Sequence, residues 1–351
     1  MKVLITGGTG FIGSHTVISL VKEGLNPVIV DNFDNSSPYI LEALEKITGT
    51  KPSFYNVDCN DAQALDQVFM QEGNIQGVIH FAAHKAVGES VANPLKYYRN
   101  NLGSLINLLD PMLRHKVSSL VFSSSCTVYG QPATLPVTET AAVVPAASPY
   151  GNTKQVCEEI IKDTVASNVL NPEQSAMNAV LLRYFNPIGA HPSGQIGELP
   201  LGVPGNLVPF ITQTAAGIRP QLTVFGNDYN TPDGTCIRDY IHVLDLADAH
   251  VKALRFAANV ADKKGLCEAF NIGTGKGHSV MELVKTFEQV SGLSLNYLLG
   301  ERRSGDIEQI YASVDKAQQQ LGWVAQRDIE EGLRDAWNWQ KNLESLALDK
   351  A

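Results

Sequence analysis

Short, mostly apolar runs alternate with helix-length amphipathic stretches through the first half of the chain. The runs are Lys2–Thr6, Pro27–Val30, Phe54–Val57, Val78–Phe81, Leu120–Ser123 and Val180–Arg183. Between them, the stretches near 12–23, 38–47, 62–72, 94–115 and 149–166 repeat apolar positions at helical spacing. Strand–helix alternation predicts a parallel sheet covered on both faces. The near-continuous apolar character of the runs fits strands buried on both sides. After Asn186 the texture changes. His191–Pro209 is crowded with Gly and Pro, which interrupts regular structure. Further on, Ala269–Ile272 reads as a strand and Ser279–Ser291 as a helix. The expected organisation is a nucleotide-type domain over 1–186, a smaller mixed α/β domain mainly over 187–351, and a return of the chain to the first sheet near 240–275.

Composition narrows the function. With 351 residues the chain is long enough for about two domains. It is 44% apolar and 18% charged, which excludes disordered, collagen-like and coiled-coil classes. Lys plus Arg total 27 and Asp plus Glu 36, a net charge of −9 that opposes phosphate backbones and anionic lipid. Neither nucleic acid nor membrane is expected as a partner. The five cysteines, Cys59, Cys126, Cys157, Cys236 and Cys267, form no Cys-x-x-Cys pair, so we expect reduced thiols rather than a disulfide frame or a zinc site. The first strand starts at once, without the basic and apolar regions of a secretory leader, and no apolar run is long enough to span a bilayer. A cytoplasmic location is expected.

Thr6-Gly7-Gly8-Thr9-Gly10-Phe11-Ile12-Gly13 follows the first strand and opens a helix. Glycines 7, 10 and 13 permit a tight turn and close backbone approach to a pyrophosphate, and the helix N-terminus adds free N–H groups and a positive dipole. Alone, the loop would read as a strand–helix turn. The acid ending the second strand, Asp31, changes that: its carboxylate suits both ribose hydroxyls of an adenosine and repels a 2′-phosphate. Asn32, Phe33 and Asp34 bring no arginine to favour NADP. The expectation is therefore an α/β fold with a Rossmann-type, doubly wound parallel sheet that binds NAD.

Ser148-Pro149-Tyr150-Gly151-Asn152-Thr153-Lys154 carries the second signal. Ser148 suits a helix cap and Pro149 the first helical position, so Tyr150 and Lys154 share one face. A nearby ammonium, the helix dipole and an oxidised nicotinamide all favour the phenolate, making Tyr150 a general base. Ser125, just past the fifth strand, is placed to share a proton with a sugar oxygen. Ser123 and Ser124 read as backbone and packing residues. Cys126 has no activating base in view and reads as a small buried residue.

On Thr6–Thr16, Val78–Ser90, Phe122–Gly130, Ser148–Lys154, Leu181–Gly194 and Gly226–His242 the chain resembles the extended short-chain dehydrogenase/reductase family, nearly end to end, and within it the branch that epimerises UDP-sugars at C4. The resemblance implies that Tyr150, aided by Ser125 or Thr127, removes the sugar 4-hydroxyl proton while C4 passes hydride to bound NAD, and that the 4-keto sugar turns and recovers hydride on its other face. It implies cofactor contacts at Gly7, Gly10, Gly13, Phe11, Ile12, Asp31, Asn32, Asn35 and Ser36, with Asp58 and Cys59 at the adenine edge. Phe81, Ala82, Lys85, Asn100, Ser125, Tyr150, Lys154 and Phe185 follow along the cofactor. For a UDP-sugar it implies Lys85, Ser125, Tyr150, Asn186, Asn206, Leu207, Arg238, Tyr240, Arg303, Asp306 and Ile310, the two arginines matching a diphosphate. A homodimer is also implied, through the helices near 94–115 and 149–166.

Ile310 stands where many relatives carry an aromatic residue beside the sugar 2-substituent, so its smaller side chain is expected to admit N-acetylated sugars. His84 departs from the common pattern without an assignable role. His80 and His84, four apart, straddle a strand end and lack a third ligand, so no metal is expected. Asn271-Ile272-Gly273-Thr274-Gly275 looks phosphate-binding but lacks a P-loop lysine and reads as a turn. Two other functions remain: a nucleotide-sugar 4,6-dehydratase or decarboxylase, and a dinucleotide-binding sensor without catalysis. Ser125-Cys126-Thr127-Val128 offers no Asp or Glu for the former, and intact Tyr150 and Lys154 speak against the latter.

Overall fold

The computed structural model describes residues 1–167, 176–260, 265–303 and 306–346. The first half runs β1 (Lys2–Thr6), α1 (Phe11–Lys22), β2 (Asn26–Asp31), α2 (Tyr39–Thr48), β3 (Ser53–Asn56), α3 (Ala62–Glu72), β4 (Gly77–His80), α4 (Val87–Ala92), α5 (Pro94–Arg114), β5 (Ser119–Ser123), α6 (Pro149–Ser167) and β6 (Asn178–Tyr184). There follow β7 (Asn186–Ile188), α7 (Leu207–Ala215), β8 (Leu222–Phe225), β9 (Ile237–Arg238), β10 (Tyr240–His242), α8 (Val243–Asn259), β11 (Leu266–Ile272), β12 (His278–Ser279), α9 (Val280–Ser291), β13 (Tyr297–Gly300), β14 (Gln309–Ile310) and α10 (Ile329–Leu346).

Among the described residues, seven strands form one sheet in the order β11-β6-β5-β4-β1-β2-β3, and every neighbouring pair is parallel. Alternation along β1 explains the double cover. Val3 and Ile5 enter a core with Val17 and Leu20 of α1 and Leu246 and Ala249 of α8, whereas Leu4 enters a second core with Leu65 of α3, Leu105 of α5 and Ile161 of α6. The strand order reverses beside β1, so the C-terminal ends of β1 and β4 open a crevice, the usual ligand position in doubly wound sheets. Late in the chain, α8 packs on the sheet with α1, and β11 lies at the edge of the sheet beside β6.

The remaining elements make a smaller lobe with three short sheets, β10-β7, β12-β9-β14 and β13-β8. Its core joins Val208 and Ile211 of α7, Leu283 and Phe287 of α9 and Leu333 of α10. Ser279 stands just outside α9 rather than in it, as the cap of a reciprocal capping box with Glu282. Among the described residues no helix is long and apolar enough to cross a membrane.

Candidate active site

The glycine loop is built for a close approach. Gly7 has φ +70° and an added Cβ would stand 2.8 Å from the Ala82 nitrogen, while one on Gly13 would stand 2.1 Å from the Gly7 oxygen. The loop therefore packs closely on β4 and on the first turn of α1. Gly10 caps α1 without a side-chain bond, leaving the first N–H groups of the helix for an anion. Asp31 holds this loop: its carboxylate accepts the Thr9 N–H at 3.0 Å and the Phe33 N–H at 2.9 Å. The Ser36 hydroxyl adds a longer bond to Asp31 at 3.3 Å and meets Thr9 Oγ1 at 2.7 Å. Asn32 uses its oxygen on the Asp34 N–H. Just after β3, Asn60 bridges Asp58 and Asn100, and Cys59 turns its thiol into the core, where burial pushes it up to about 12. Phe81 continues β4 by donating to the Thr6 carbonyl and packs on His250.

Ser125, Thr127, Tyr150 and Lys154 come together where β5 ends and α6 begins. Ser148 caps α6 through the Gly151 N–H at 3.2 Å, with Pro149 as first helical residue. Ser125 accepts the Thr127 N–H at 3.2 Å, and its hydroxyl bonds the Tyr150 phenol, pulling the phenol's pKa down. Burial outweighs this and raises Tyr150 well above its ordinary range. Lys154 is also buried, which draws its ammonium down to about 8. Its Nζ donates to the Ser123 carbonyl at 2.7 Å and lies 6.0 Å from the Tyr150 ring centre. The polypeptide alone thus holds a neutral phenol and leaves its ionisation to a further positive charge. Thr127 Oγ1 is buried without a hydrogen-bond partner. Behind Ser125, Ser124 donates to Glu158 at 2.6 Å, and Glu158 receives Arg183 Nε and Nη2 at 2.9 and 2.6 Å. This fully paired network stiffens the floor.

The smaller lobe carries further predicted residues. Asn186 and Tyr240 are register partners on β7 and β10, and Asn206 caps α7, which starts at Leu207. Arg303 donates to Asp306 at 2.8 Å and Arg238 reaches the same carboxylate oxygen at 3.9 Å. Ile310 pairs in register with Arg238 and is buried with Phe185, Val128 and Tyr129.

Sequence reasoning missed three residues. Glu198 accepts Lys85 Nζ at 2.8 Å and Asn206 Nδ2 at 2.6 Å on one oxygen; no motif marks it. Phe225 is half-exposed beneath the Arg303 guanidinium, 5.7 Å away. Asp239 is fully buried and accepts the N–H groups of Thr274, Gly275 and Ala312 and the Thr274 hydroxyl, at 2.7–3.2 Å. This explains the phosphate-like Gly273-Thr274-Gly275 turn: it does cradle an anion, the chain's own carboxylate.

The histidine pair separates. His80 is buried against Thr6 and burial lowers it to about 3, whereas His84 faces Asp34 and Tyr97. One trio with metal-ligand chemistry stands among the described residues, His242, Glu331 and Asp335. His242 accepts the Leu244 N–H at Nδ1, so its proton sits on Nε2 facing Asp335 and no lone pair remains for a cation.

The sheet order, the glycine loop and the Ser–Tyr–Lys group define an extended short-chain dehydrogenase/reductase. A family model described as GDP-mannose 4,6 dehydratase matches residues 4–336. The chain is 50% identical over 339 residues to UDP-glucose 4-epimerase of Dictyostelium discoideum, covering 97% of this chain and 95% of that one. It superposes on UDP-glucose 4-epimerase from Bifidobacterium longum in complex with NAD+ and UDP with a TM-score of 0.91 at 46% identity, over 97% and 98% of the two chains. The enzyme from Stenotrophomonas maltophila with bound NAD and formylated UDP-arabinopyranose gives 0.92 at 44% identity, over 99% of each. The chain belongs to the UDP-glucose 4-epimerase family.

Proposed function

We propose that the protein interconverts UDP-glucose and UDP-galactose by reversible inversion at sugar C4, with NAD bound in the crevice of the sheet. The observation carrying this reading is the buried Ser125–Tyr150–Lys154 group in the same parallel sheet domain as a glycine loop that heads α1. Gly7, Gly10, Phe11, Ile12 and Gly13 would hold the pyrophosphate, Asp31 the adenosine ribose, and Phe81, Lys154 and Phe185 the nicotinamide end. Bound there, NAD would supply the hydride acceptor for C4 and a cationic ring that favours ionisation of the buried phenol.

Tyr150 takes the 4-hydroxyl proton through the hydrogen bond it shares with Ser125, and gives it back after the 4-keto sugar has turned. Thr127 backs this pair by donating its N–H to the Ser125 hydroxyl. Arg238 and Arg303 hold the diphosphate during the turn, and Phe225 offers its face to the base. No carboxylate lies within Cys126–Tyr129 to expel a C6 hydroxyl, which supports epimerisation over dehydration. NMR of the purified protein with UDP-galactose is expected to show UDP-glucose of unchanged mass. Tyr150→Phe should retain NAD while turnover falls by about 10²–10⁴-fold; equal rates would remove Tyr150 as the base.

Three finer readings go with this. Ile310 leaves room for an N-acetyl group, so UDP-GlcNAc and UDP-GalNAc should also be interconverted by the wild type and not by Ile310→Tyr. A wild type inactive on both acetylated sugars ends that reading. The chain pairs as a homodimer; Val91 and Leu95, more than half exposed, offer an apolar strip at the junction of α4 and α5. A cytoplasmic site suits five cysteines without a disulfide.

A further inference from the structure

Lys85 comes from the loop after β4 in the large lobe, and Asn206 from the cap of α7 in the small one. Both donate to the same Glu198 oxygen. The carboxylate therefore stands between the lobes, held by two residues that the resemblance assigns to the UDP-sugar. It is also fixed in place. The Trp339 indole donates to the Glu198 carbonyl at 2.9 Å, and a Cβ on the preceding Gly197 would stand 2.4 Å from the same ring, so the backbone lies flat on Trp339. The Glu198 side chain is only 11% exposed, against 48% for Lys85. A fixed, poorly hydrated negative charge here has two effects: it consumes the one ammonium that Lys85 brings to the sugar, and it repels any second anion.

We propose that Glu198 is a charge filter that confines the enzyme to neutral sugars and bars UDP-uronates, in which a carboxylate replaces the C6 hydroxymethyl group. Such a sugar has the UDP and 4-hydroxyl that the rest of the site accepts, so discrimination has to come from repulsion. The proposal rests on the UDP-sugar reading above. It makes Glu198 a specificity residue, not a participant in proton or hydride transfer.

The test measures inhibition of UDP-galactose epimerisation by UDP-glucuronate, alongside KM for UDP-galactose, in wild type and Glu198→Gln. Gln keeps an acceptor for Asn206 and the backbone bond to Trp339 while removing the charge. The ratio of the inhibition constant to KM is expected to fall by about tenfold or more. Glu198→Ser gives the same reading if Gln does not fold, and Glu198→Asp, which keeps the charge, should behave as wild type. Adding Lys85→Met to Glu198→Gln should abolish the gain, because the unmasked ammonium is what attracts the uronate. A ratio unchanged in both neutral variants, or equally lowered in Glu198→Asp, overturns the filter and leaves a structural bolt. A wild type inactive on UDP-galactose would instead overturn the functional reading itself.

Discussion

On the function proposed above, one anion would meet the backbone N–H groups heading α1 at the end of β1, and another the two guanidiniums of the small lobe, Arg238 and Arg303, gathered on Asp306. The first site is made by what the sequence leaves out, namely side chains at Gly7, Gly10 and Gly13. The second is made by long side chains from segments some 65 residues apart, brought together by β9 and β14. A backbone site is rigid and suits a cofactor that stays bound. A side-chain site can release and rebind, which suits a substrate that enters, turns and leaves.

Substitutions on the two sides should separate these roles. The largest effect is expected for Gly13→Ala, whose Cβ would meet the Gly7 oxygen at 2.1 Å. Overpacking of about 1–3 kcal/mol or more should raise the NAD dissociation constant by about tenfold or beyond, read as loss of the NAD that co-purifies. NAD content equal to wild type would break the contrast. Arg303→Ala comes next: KM for the UDP-sugar should rise about tenfold with kcat and NAD content nearly unchanged. A fall in kcat alone would mean that Arg303 acts on the reaction rather than on the diphosphate.

The smallest effect concerns the charge between the sites. Burial lowers Lys154 to about 8, so in the cofactor-free protein this group penalises folding fully below about pH 8. The unfolded chain binds the extra proton up to its ordinary pKa of about 10.4, so wild-type stability rises with pH across that interval. Lys154→Met lacks the penalty. Its advantage in thermal unfolding over cofactor-free wild type should be largest near pH 7 and shrink toward pH 10. An advantage constant with pH would mean that the amine is already neutral in the fold.

The large lobe was legible because its devices are contiguous. The strands of the sheet, the α1 loop and the capped Ser148–Lys154 turn each sit within a dozen residues, and the expected segments agree with the observed ones to within about two residues at most ends. The small lobe yielded Arg238 and Arg303 only through resemblance, since an arginine on a two-residue strand has no local signature. Glu198 was invisible because its partners, Lys85 and Asn206, lie 113 and 8 positions away. Gly273-Thr274-Gly275 reads as a mere turn in the sequence because its anion, Asp239, is 35 positions distant. The pattern shows where a cradle is; only the fold shows what fills it.

That buried aspartate ties the molecule together in a way the layout of lobes conceals. Its four donors come from the end of the seventh strand of the main sheet and from the chain just beyond β14, while Asp239 itself bridges β9 and β10 of the small lobe. Peeling either body away would strand a desolvated carboxylate and several amides at once. Calorimetry should accordingly record one endotherm rather than two, with the halves melting as a single cooperative unit.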